Sequence, residues 1–131
     1  MKTPTFDTTN IDRTTFAPFW LRDARATEWR DVRLGFHDWE WFHAQHATDT
    51  IDGYYVNGYG LEGLLKAMRW KAGRAVDEAG IDYDSEGDTF FVHFKNMDEA
   101  IWTAEQAVEM LASRQRLADL IAVARAQGFE D

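Results

Sequence analysis

Four histidines, a glycine-rich helix entry and a run of acids are where this chain could do chemistry. Gly58-Tyr59-Gly60-Leu61-Glu62-Gly63 satisfies the G-x-G-x-x-G spacing that lets a backbone approach a pyrophosphate. Such a site needs a buried strand just before it and parallel strands after it. Here the preceding run is Ile51-Asp52-Gly53-Tyr54-Tyr55, and an antiparallel hairpin pattern follows. A chain of 131 residues also leaves no room for the second half of a dinucleotide fold. The glycines are therefore expected to shape a helix entry.

His43 and His46 lie three apart and would share a helix face, as two ligands of one metal would. Trp39 and Phe42 occupy the same stripe, and no Asp or Glu one turn away completes a site, so packing is the expectation. His93 stands beside Asp82 and Asp84 across the hairpin and could be tuned as a base, but no nucleophile accompanies it. Asp82-Tyr83-Asp84-Ser85-Glu86-Gly87-Asp88 is dense in oxygen ligands yet lacks the twelve-residue calcium-loop spacing and its terminal Glu. No G-x-S-x-G, P-loop or H-E-x-x-H occurs. No catalytic residue, metal or cofactor is expected.

What is left is surface chemistry. The net charge is -9, and residues 77–109 carry ten acids against one base. An acidic chain repels nucleic acid and anionic lipid and attracts basic partners. Six Trp, four Tyr and nine Phe are enough for a dense core with rings to spare. The absence of Cys excludes disulfides, thiol catalysis and Cys-based zinc sites. No apolar run reaches the ~20 residues that span a bilayer. MKTPTFDTTN lacks the basic start and apolar stretch of a signal peptide, so a cytoplasmic location is expected.

The elements that must position these residues follow from periodicity. With 45% hydrophobic residues and only 2 Pro, the chain reads as one folded domain, residues 1–15 being a loose arm. Phe16 to Leu21 reads as a strand, and Glu28 to Phe36 alternates as a second. Asp38 suits the N-cap of a short helix to Ala47, and a loop runs from Thr48 to Gly60. Leu61, Leu64, Leu65, Met68 and Ala72 mark a helix ending near Gly73. Ile81 to Lys95 is a hairpin. With Glu86-Gly87 at its turn, Asp84 pairs with Thr89 and Tyr83 with Phe90. That register sets Ile81, Tyr83, Phe90, Val92 and Phe94 on the core face, and Asp82, Asp84, Thr89, Phe91 and His93 on the other. Asn96 and Glu99 open a helix with Met97, Ile101, Ala104, Val108 and Leu111 inward, leaving Trp102 and Met110 off the stripe. Ser113 caps a last helix carrying Leu117, Leu120, Ile121 and Ala124. The order predicts an α+β domain, mainly antiparallel, with about four helices packed on one sheet face.

Partner binding is therefore expected at Asp82, Asp84, Glu86, Asp88, Phe91 and His93, with the off-stripe rings Trp70 and Trp102. The ordered pair of N-G-Y-x-x-E-G-L from Asn57 and Asp84-Ser85-Glu86-Gly87-Asp88, followed by the closing helix with Leu117, resembles the immunity protein 51 family of bacterial polymorphic-toxin systems. The resemblance runs from about Phe16 to Ala124. It implies a cytoplasmic, non-enzymatic inhibitor that binds a cognate toxin. The acidity suits a basic toxin such as a nuclease. Phe36 to His46, rich in rings and His, has no counterpart in that pattern. Two rival readings remain open: a small ligand-binding domain or enzyme built around Trp39, Trp41, Phe42 and His43, and an adaptor subunit of another complex. A large secreted toxin gene directly upstream separates immunity from both.

Overall fold

A computed structural model describes residues 1–78 and 80–130. In chain order the elements are β1 (Ile11–Asp12), β2 (Trp20–Ala24), β3 (Asp31–Phe36), α1 (Trp39–His46), β4 (Thr50–Ile51), β5 (Tyr54–Tyr55), α2 (Gly58–Lys71), β6 (Ile81–Tyr83), β7 (Phe90–Phe94), α3 (Met97–Ala112) and α4 (Arg114–Gln127). Five strands make one antiparallel sheet in the order β1-β2-β3-β7-β6, and β4 and β5 form a separate hairpin. The result is a single α+β domain with four helices among the described residues.

Strand alternation decides where the core lies. Leu21, Val32, Leu34, Phe36, Phe90, Val92 and Phe94 are buried on one face of the sheet. There α2 and α3 lie across them, bringing Leu61, Leu64, Leu65, Ile101 and Leu111. In turn α4 rests on α2 and α3 through Leu117, Leu120 and Ile121. Each fully buried Leu or Phe contributes about 1.5–3 kcal/mol. The helix starts are fixed by side-chain caps: Asp38, Asn57, Asn96 and Ser113 accept the backbone N–H of Trp41, Gly60, Glu99 and Arg116. No helix among the described residues is long and apolar enough to cross a membrane.

Several expectations need correction. The hairpin turns at Gly87-Asp88, so Tyr83 pairs with Val92 and Asp82 with His93, and Glu86 bridges Thr89. The register thus slips by two from the predicted one. An even slip keeps every side chain on its face, which is why the burial pattern survives it. Ile81 and Tyr83 are only half-buried, because β6 is an edge strand. Phe16 and Phe19 are buried in a turn containing a cis Ala17–Pro18 bond, and the strand starts at Trp20. The predicted loop from Thr48 to Gly60 holds the β4–β5 hairpin and the first turn of α2. Met110 is buried because α4 covers a second side of α3, and Ala72 is exposed as the C-cap of α2.

The stretch read as a loose arm contains β1. Buried Asp12 gathers backbone N–H groups from Thr5, Thr14 and Thr15 at 2.8, 2.9 and 3.0 Å. Burial pushes its carboxyl up, but these hydrogen bonds outweigh burial and lower it to about 2.

Candidate partner-binding site

Among the described residues no helix lies over the sheet face away from α2 and α3, so its own side chains must cover it. A glycine in the middle of β3 makes this possible. Trp20 on β2 lies flat across Gly35, and a Cβ at Gly35 would fall 2.0 Å from the indole ring. Phe91 sits beside this indole at 5.4 Å between centroids, and the His93 ring stands edge-on to Phe91 at 4.7 Å. Arg33 lies over Trp29 at 4.7 Å and nears Phe91 at 5.9 Å. Trp29 is half exposed, at 51%. The Trp20 Nε1 donor is buried without an acceptor.

The polar frame of this face centres on Asp31. The His93 Nδ1–H donates to its carboxylate at 2.9 Å and the Arg33 Nε–H at 3.0 Å. Burial pushes the Asp31 carboxyl up, and the bonds from His93 and Arg33 more than offset this, holding it below the usual carboxylate range. The other His93 nitrogen lies 4.0 Å from the Asp84 carboxylate. A His–Asp pair of this kind orients an imidazole, but among the described residues no hydroxyl is hydrogen-bonded to His93. The arrangement fixes the orientation of His93 and Arg33 on this face.

Asp82, Asp84, Phe91 and His93 do meet on this face, the two acids exposed and the two rings half-buried. Glu86 and Asp88 lie at the exposed hairpin tip. Trp70 and Trp102 are elsewhere, on helices that cover the opposite face. Trp70 is 46% exposed, and Trp102 is half-buried beneath the guanidinium of Arg74 at 3.8 Å. The predicted acidic character also holds only at one side. A cross-strand row runs Arg22, Arg33, His93, Asp82, and because buried Asp31 on β3 pairs with Arg33, the exposed acid of this face lies on β6 and the tip, with Arg22 at the β2 side. Much of the acid in the window 77–109 belongs to α3, where Glu99 pairs with Arg74 at 2.7 Å and with buried Arg69 at 3.4 Å.

Sequence reasoning missed Trp20, Trp29, Arg22 and Arg33. Gly35 was the available signal, since a glycine inside an alternating strand marks a close approach.

The tip is fastened to the rest of the molecule by the glycine motif. Gly58 N–H donates to Gly87 O at 3.0 Å, and the Trp39 indole N–H donates to Asp88 O at 2.8 Å. A Cβ on Gly58 would stand 1.8 Å from the Glu86 carbonyl oxygen, one on Gly60 2.0 Å from Tyr55 O, and one on Gly63 2.4 Å from Phe129 O. The three glycines are packing contacts at the entry of α2. Gly58 alone of the three joins the entry of α2 to the hairpin tip. His46 is buried against Leu111 O while His43 is exposed, so the helix does not bring them together as a ligand pair.

No protein-family model, curated protein or solved structure matches the chain.

Proposed function

We propose that this protein is a toxin-immunity inhibitor that acts by binding, without chemistry, in the cytoplasm. The observation that carries the reading is the uncovered sheet face, where the Phe91 ring is held between Trp20 and His93 beside an acidic rim. Rigid rings flanked by charge are the usual anchors of tight protein interfaces. The partner is a basic toxin domain, such as a nuclease whose substrate groove attracts anions. Asp82, Asp84, Glu86 and Asp88 steer it, Phe91 anchors it, and the toxin's working surface is occluded. The resemblance to immunity protein 51 supports the same reading.

Co-expression with the candidate toxin encoded upstream tests it. Wild type is expected to protect the host. The Asp82→Lys/Asp84→Lys variant folds, because both acids are exposed, and associates more slowly, with a larger effect at low salt. Phe91→Ala raises the dissociation rate, at a cost of ~2 kcal/mol or more. Full protection and unchanged affinity from the charge-reversed protein would place the toxin elsewhere.

A further inference from the structure

We propose that the cavity between α1, the β4–β5 hairpin and the β6–β7 tip receives the cationic head of an arginine or lysine side chain from a protein partner. The inference rests on the reading of a basic partner and identifies where one of its side chains inserts. The cavity is about 260 Å³, and its lining includes Trp39, Phe42, His43, Asp49, Tyr55 and Asp88. That is below the ~300–1,000 Å³ of sites that enclose drug-sized ligands. It suits a side chain.

The walls have the composition that selects a cation. Three rings contribute. Phe42 is buried, Trp39 is half-buried, and Tyr55 is 56% exposed at the rim. Trp39 is fixed in place by an edge contact with Phe36 at 4.9 Å and by its indole N–H on Asp88 O at 2.8 Å. A ring held from two sides presents its π-surface without an ordering cost, and aromatic surfaces attract guanidinium and ammonium groups. Asp49 and Asp88 add two exposed carboxylates. Among the described residues neither forms an ion pair with a basic side chain. Their hydrogen bonds come from hydroxyls instead: Thr50 donates to Asp49 at 2.9 Å, and Thr89 to Asp88 at 3.4 Å. Each carboxylate keeps acceptor sites for a charge-assisted bond. A neutral head group gains neither the ring attraction nor that bond, and an anion is repelled.

The segment Phe36 to His46, which the sequence left unassigned, thereby acquires a role. Its Trp39, Phe42 and His43 line the pocket, and the acidic tip supplies Asp88.

The test uses the full chain labelled with ¹⁵N and follows the Trp39 indole N–H. The probes are blocked tripeptides with a central arginine, lysine or citrulline, and butylguanidinium. The arginine or lysine peptide is expected to shift the Trp39 signal saturably, and the citrulline peptide to leave it in place. Asp49→Asn/Asp88→Asn is expected to weaken the peptide about tenfold, the loss of a charge-assisted contact. Tyr55→Ala, at an exposed position, weakens it several-fold. Equal shifts from citrulline, unchanged affinity in the double variant, or no saturable shift would each overturn the proposal. Butylguanidinium, an arginine side chain without its backbone, is expected to shift the same signal, and its failure to do so would also overturn the proposal. A wild type that fails to protect against the toxin defeats the proposed function instead, and leaves the peptide result standing.

Discussion

Gly58 has space for a hydrogen and nothing larger. A methyl group there meets the Glu86 and Thr89 carbonyl oxygens, which are backbone and cannot rotate aside. Gly58→Ala is therefore expected to destabilise the protein by roughly 1–3 kcal/mol in urea unfolding, the usual range for overpacking. Gly87→Ala, one residue from the same contact but open to solvent, is expected to be near neutral. The G-x-G-x-x-G spacing was legible in the sequence, and so was its place at a helix entry, although the short strand β5 just ahead of it was read as loop. The actual neighbours were not legible, because they come from residues 54–55, 86–89 and 129. Trp20 was lost for a related reason. With the strand drawn at Phe16 to Leu21, no register linked it to Gly35.

Elements were more readable than their pairings. Three of the four helix caps, Asp38, Asn96 and Ser113, announced themselves as polar residues ahead of apolar stripes. The hairpin was found with its faces right and its partners wrong. Burial patterns repeat every two residues and cannot report an even slip; only the turn could have fixed it. The opposite sheet edge depends on something shorter still. A two-residue strand cannot hold itself, and Asp12 holds β1 by bonding three backbone N–H groups. Its carboxyl is lowered from 3.8 to about 2 on folding. A depressed carboxyl stabilises the fold above the unfolded value and loses that contribution as pH falls through the folded one. By linkage, roughly 2 kcal/mol should disappear between about pH 4 and pH 2. Asp12→Asn is expected to flatten that part of a stability-versus-pH curve. A wild-type curve already flat there would show that Asp12 does not anchor the strand.

Across the whole molecule, charge is distributed in a way a linear window cannot show. The acids of residues 77–109 divide among the hairpin, α3 and the segment with Asp77 and Glu78 ahead of β6, and the hairpin's Asp82 and Asp84 project from the sheet face away from α3. The exposed acid of the uncovered face is consequently gathered at the β6 end and the tip, and its orientation toward a partner is set by that end. The tip at that end is a solvent-exposed turn by position and part of the core by attachment. The Gly58 amide, which the start of α2 leaves without an intrahelical partner, donates to Gly87 O, and the Trp39 indole N–H donates to Asp88 O, so the tip cannot lift without breaking both bonds. Lifting would also open the close packing of Gly58 on the Glu86 and Thr89 carbonyls, so the tip is expected to move with the fold rather than as a hinged loop. In native-state hydrogen exchange, the Gly58 amide is expected to exchange as slowly as amides of β3, where a freely hinged loop would exchange orders of magnitude faster.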